Sequence, residues 1–195
     1  MRSGLWLFPT LALPLIGLAA EPSFDCDTAS NPVEQLICED EDLAALDREL
    51  AAVYDLAWQN PEAGPPTALG LQSGQRGWIM SVNDCAAAEN PHGCVTQHYQ
   101  FRIAELQALY EMLPATDSMA LSCVETGQVR VDFFDTDPPT ARLWRDDRAV
   151  VTFRVADAGG ELYQGGGVTF QPRDEAMELN WEGEILHCVD QPAQN

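Results

Sequence analysis

The chain has 195 residues, with 31 acidic and 10 basic side chains and a formal net charge of −21. All ten bases are arginines and no lysine occurs. A surface this acidic repels nucleic acid and anionic membranes and speeds encounter with basic partners, but acidity also serves simply to keep a protein soluble, so charge alone selects no partner.

Met1 to Ala20 reads as an export signal. Arg2 supplies the positive start, Leu5 to Leu18 the apolar stretch, and Gly17-Leu18-Ala19-Ala20 the small residues of a cleavage site. The apolar stretch is interrupted by Pro9 and Pro14 and is short for a bilayer span, which needs about 20 residues. No cysteine follows the cleavage region directly, so no lipid attachment and no stable membrane anchor is expected after cleavage. The expected location is the periplasm or the exterior. Removal of the signal leaves roughly 175 residues, enough for one medium domain or two small ones.

Six cysteines fall in two groups. An even count behind an export signal argues for disulfides. Cys26, Cys38, Cys85 and Cys94 lie in a half with helical periodicity, whereas Cys123 and Cys188 bracket a half with strand periodicity.

Pro22 to Ile37 is an irregular entry with one helical turn from Pro32. In Cys38-Glu39-Asp40-Glu41-Asp42 the four acids lack the alternating ligands and glycine turn of a calcium loop. Asp40 instead caps a helix whose positive end the acids complement. Leu43, Leu46, Leu50, Val53, Tyr54 and Ala57 recur at spacings of three and four, giving that helix a buried face. It ends near Trp58. A second helix is expected from Thr67 to about Ala88, with Leu71, Trp78, Ile79 and Val82 as its stripe. Asn90-Pro91-His92-Gly93 reads as a turn, and a third helix covers Cys94 to Leu113. Three helices with short connections predict an antiparallel hairpin bundle.

Pro114 to Ser122 reads as a linker, after which the period becomes 2. Val129–Phe133, Ala141–Arg145, Val150–Val155, Leu162-Tyr163, Val168–Phe170, Ala176–Trp181 and Ile185–His187 read as short strands separated by turns. Such spacing implies a small barrel or sandwich. The expected organisation is a signal peptide at 1–20, a helical domain at 21–113, a linker at 114–122, a β domain at 123–190 and a tail at 191–195. The fold class is all-α plus all-β. The two-domain pattern favours Cys123–Cys188. Cys26–Cys38 and Cys85–Cys94 are the local pairings in the helical half, with crossed pairings open.

Chemistry is sparse. His92 and His98 flank Cys94, but an oxidised cysteine is no zinc ligand and a second ligand pair at fixed spacing is missing. His187 has no nucleophile at motif spacing. No nucleophile elbow, phosphate loop or metalloprotease signature occurs. The chain reads as non-enzymatic, with no cofactor and no metal site.

Two resemblances add to this reading. Pro22–Cys26, Pro32–Cys38, Leu43–Leu50, Gln75–Ile79, Asp84-Cys85, Cys94-Val95, Tyr99, Arg102-Ile103 and Leu106 agree in order and spacing with the N-terminal domain of LprI-type lysozyme inhibitors. That resemblance covers nearly all of residues 22–113. Val82 departs from it, standing where that family usually has arginine.

Cys123 to Cys188 resembles the MliC/PliC inhibitors of c-type lysozyme. The residues carrying it are Ala158-Gly159-Gly160-Glu161-Leu162-Tyr163, Val168-Thr169-Phe170 and Arg173-Asp174-Glu175-Ala176. It implies an eight-stranded antiparallel β-barrel whose Ser-Gly-x-x-Tyr and Lys-Gly-Asp-Glu-Ala loops enter the lysozyme cleft, with the serine and lysine meeting two catalytic carboxylates. The lysozyme-binding residues it implies here are Gly159, Gly160, Glu161, Tyr163, Arg173, Asp174 and Glu175.

Both key residues differ, however. Gly159 takes the serine position and cannot supply a hydroxyl. Arg173 lies near the lysine position in a shorter segment containing Pro172, and arginine can still pair with a carboxylate bidentately. Bland readings stand beside these: glycines that serve tight turns, Tyr163 as a core aromatic, and Arg173 as a solvated loop residue. The sequence thus predicts an exported protein that plugs the active-site cleft of c-type lysozyme. The alternative is a non-catalytic envelope binding module for a different muramidase, envelope protein or small ligand.

Overall fold

The computed structural model describes residues 21–60, 68–157, 160–173 and 176–191. The expected export signal, Gly159, Asp174 and Glu175 lie outside them.

Four helices precede eight strands. Helix α1 (Pro32–Glu39) starts in a capping box: the Asn31 side chain accepts from the Val33 and Glu34 N–H groups, and Glu34 reaches back to the Asn31 N–H. This satisfies N–H groups that a helix start leaves without partners. Helix α2 (Glu41–Gln59) is capped by Asp40, which accepts from Asp42 and Leu43 N–H at 3.0 Å each. Its buried face is Leu43, Ala44, Asp47, Leu50, Val53 and Ala57. Leu46 and Tyr54, also on the expected stripe, are only partly buried.

Helix α3 (Ala68–Asn83) stops short of the expected Ala88, because a 3-10 turn at Asp84–Ala87 takes over and buries Cys85. Asn90 to Gly93 is not a free turn. Asn90 caps α4 (Pro91–Leu109) by accepting from Gly93 N–H, and Pro91 occupies the first helical position. Proline is tolerated there because its missing N–H would have had no intrahelical partner. Helix α4 ends at Leu109 and not at Leu113. Glu111 turns into the left-handed region (φ 51°), and Met112 N–H donates back to Gln107 O, the backward bond of a Schellman-type end.

The strands are β1 (Asp117–Cys123), β2 (Gly127–Phe134), β3 (Thr140–Arg145), β4 (Arg148–Asp157), β5 (Gly160–Gly165), β6 (Val168–Phe170), β7 (Ala176–Trp181) and β8 (Glu184–Asp190). Each pairs antiparallel with its neighbour, and β1 pairs with β8 to close an eight-stranded barrel. Strand β1 corrects the expected linker, since Asp117–Ser122 belong to the sheet. Only Leu121 and Cys123 of β1 are buried, so its first half shows no apolar alternation to read. All six cysteines are paired, as Cys26–Cys38, Cys85–Cys94 and Cys123–Cys188. The last joins facing residues of β1 and β8.

The helical core and the barrel interior are separate apolar clusters. A third lies between them, formed by Ala108 from α4 and Phe134 and Val151 from the barrel, with Leu109, Leu113 and Phe153 against it. Register explains the arrangement. Val131 faces Leu143, which faces Val150, and this row fills the interior. The adjacent rows Asp132–Arg142–Val151 and Phe134–Thr140–Phe153 have the opposite parity and meet α4. The rings of Phe101 and Phe153 lie 4.4 Å apart across this junction. The two halves therefore share a buried seam.

Candidate functional site

In an up-and-down barrel, the ends of β2, β4 and β6 and the starts of β3, β5 and β7 lie at one mouth. Tyr163 on β5 faces Arg154 on β4 and Phe170 on β6. Its ring is stacked on Phe170 at 5.3 Å and meets the edge of Phe133 at 5.4 Å. Tyr163 is buried and is thus a core aromatic. Burial, reinforced by the nearby Glu161 charge, raises the pKa of its hydroxyl.

Arg154 Nη1 pairs with Glu161 Oε1 at 3.1 Å on the exposed rim. Arg173 follows β6, is exposed, and donates from Nη2 to Gln171 Oε1 at 3.2 Å. Arg154, Glu161, Tyr163 and Arg173 all line one depression of about 610 Å³, whose edge also includes Asp117, Asp135 and Asp190. Three of the sequence-predicted residues, Glu161, Tyr163 and Arg173, are thus brought together. Gly160 begins β5 opposite Asp157.

Arg154 was missed by sequence reasoning. Period-2 alternation placed it in a strand, but its place beside Tyr163 depends on the β4–β5 register. Arg142 was missed as well. It is 2% exposed and donates to Ala108 O (3.1 Å), Glu111 Oε1 (2.7 Å) and Asp132 Oδ2 (3.0 Å).

Carboxylates engage His92 and His187, and His98 borders a disulfide. His98 lies near the Cys85 and Cys94 sulfurs, but those sulfurs are joined in a disulfide and carry no thiolate to offer a metal. His92 Nε2 meets Asp40 Oδ2 at 3.1 Å. His187 Nδ1 meets Glu125 Oε1 at 2.7 Å, with Glu178 3.7 Å from its other nitrogen.

Together these features define a disulfide-bonded helical unit seamed to a small closed barrel, with an arginine-bearing depression at one mouth. No described helix is long and apolar enough to cross a membrane. No family model matches the chain. The chain is similar to the lipoprotein LprI of Mycobacterium bovis and of Mycobacterium tuberculosis, at 26% identity over 172 residues, covering 87% of this chain and 84% of each relative. A stretch of that length fits within neither half, so the likeness to LprI runs through the helical unit into the barrel. The resemblance read from the sequence had placed it in residues 22–113 alone.

Proposed function

We propose that this protein is an exported lysozyme inhibitor that binds c-type lysozyme and obstructs its cleft with the barrel mouth. The observation that carries this reading is the placement of Arg173, exposed beside Arg154 and Tyr163 in one depression. An exposed guanidinium can pair bidentately with a carboxylate in a cleft. A plug needs no catalytic group; it needs a rigid rim, which lowers the ordering cost of binding. Closure of the barrel through Cys123–Cys188 supplies that rigidity. The net charge of −21 suits a basic enzyme and speeds the encounter. Likeness to the lipoprotein LprI across both halves, and the sequence resemblance to lysozyme inhibitors, support the same reading.

A second reading, a non-catalytic envelope binding module for another muramidase, envelope protein or small ligand, is favoured by two observations. Gly159 stands where a serine would be required, and Glu161 already neutralises Arg154. A muramidase assay with the purified protein and c-type lysozyme separates the two. Inhibition at micromolar protein is expected; its absence eliminates the lysozyme reading. Capture of a different envelope protein by the immobilised full chain then decides for the second.

A further inference from the structure

Asp47, on α2, is 8% exposed. Its Oδ1 accepts the Tyr99 hydroxyl at 2.9 Å, and its Oδ2 accepts the Ser23 N–H at 2.6 Å. Both donors are neutral. Among the described residues no arginine or histidine forms an ion pair with it. A carboxylate taken out of water is costly without a counter-charge.

Asp47 borders a cavity of about 360 Å³ inside the helical unit. Phe24, Tyr54, Trp78 and Tyr99 contribute aromatic walls, Glu34 and Asp55 add two further acids, and no basic side chain lines it among the described residues. Two of the rings are fixed. Trp78 and Tyr99 meet edge to face at 4.9 Å, and Trp78 Nε1 donates to His98 O at 3.2 Å. The surroundings are electronegative: burial first, then the charges of Asp47 and Glu34, drive the Tyr99 hydroxyl far above its ordinary range.

We propose that this cavity binds one organic cation, an alkylammonium or alkylguanidinium group on a short apolar stem, with Asp47 as its counter-ion. The apolar walls suit the stem, and aromatic faces attract a desolvated cation. Charge complementarity selects this ligand class, because the cavity offers carboxylates and ring faces and no positive group. The site shares no residue with the barrel mouth, so it stands or falls independently of the lysozyme reading.

Calorimetric titration of the full chain with butylguanidinium, against its neutral isostere butylurea, tests the site. Saturable binding of the cation at roughly millimolar Kd or tighter is expected, with butylurea at least about tenfold weaker. Asp47→Asn should weaken the cation by about tenfold or more. No binding, equal affinity for the two probes, or an unchanged affinity in Asp47→Asn overturns the proposal. If circular dichroism shows Asp47→Asn to be unfolded, Trp78→Leu replaces it, and an unchanged affinity there overturns the proposal equally. N-acetyl-arginine amide separates the ligand sources. Binding as tight as butylguanidinium assigns the site to a protein side chain, and a loss of tenfold or more assigns it to free cations; either result upholds a cation site.

Discussion

Arg142 on β3 donates from Nη1 to the Ala108 carbonyl of α4 at 3.1 Å, so a barrel strand caps the last turn of a helix from the other half. The carbonyl end of a helix is the negative end of its dipole and leaves acceptors unfilled, which a guanidinium satisfies well. The same group reaches Leu109 O, Glu111 and Asp132, and lies over the Phe134 and Trp144 rings at 5.3 and 5.4 Å.

Arg142→Met keeps the apolar stem but leaves helix-end carbonyls unfilled and removes one of two arginines from Asp132. Arg130 remains on that carboxylate at 3.1 Å, so the cost falls at the low end for a broken buried pair, about 3 kcal/mol. Urea denaturation measures it. A change below about 1 kcal/mol would contradict the clamp.

Cys123→Ala with Cys188→Ala opens a loop of sequence separation 65. In the chain-entropy model this costs about 4 kcal/mol. Thermal unfolding of the double variant should show a markedly lower Tm. An unchanged Tm would mean that strand pairing alone holds β1 to β8.

His187 titrates above its ordinary value of 6.5, because it is hydrogen-bonded to Glu125 and attracted by its charge. Glu125 in turn titrates below its ordinary 4.5, mainly through the same bond. A raised histidine pKa stabilises the fold fully below the unfolded value and ceases to do so as pH rises through the folded value. A lowered carboxylate pKa stabilises above the unfolded value and ceases to do so as pH falls through the folded one. The pair therefore acts at mildly acidic pH, between the lowered Glu125 value and the raised His187 value. Proton NMR titration should find His187 above 6.5 and returned toward it in Glu125→Gln; an identical titration curve in the variant would refute the pairing.

At the barrel mouth, Arg173→Ala should weaken lysozyme inhibition by roughly tenfold or more if its guanidinium meets a buried carboxylate. An unchanged inhibition constant excludes Arg173 as the plug. Glu161→Gln releases Arg154 from its rim partner and should strengthen inhibition if Arg154 also contacts the enzyme. Raising salt from low to physiological levels should slow association more than it speeds dissociation, since steering is screened beyond about 10 Å.

The Asp40 cap and most of the apolar periods were legible in the sequence. Asp40, the α2 stripe and seven of the strands lie where local spacing put them, because each depends on neighbours within a few residues. Strand β1 was not legible, because its Asp117–Ala120 half has no buried position. It belongs to the sheet only through pairing with β2 and β8. The end of α4 was missed for a related reason: Glu111 adopts a left-handed conformation while its carboxylate meets Arg142, a partner 31 positions along the chain.

By itself the sequence determined two closed units, their periodicities and a strongly acidic surface, since composition and local spacing carry that information. Tertiary structure alone decided three matters. Strand register set Arg154 beside Tyr163 and Arg173 at one mouth. Parity turned Arg142, Phe134 and Val151 outward onto α4, making two modules one body. Helix packing buried Asp47 against Tyr99 without a counter-charge. Each depends on which side chains long-range pairing brings together, a property that no window of neighbouring residues contains.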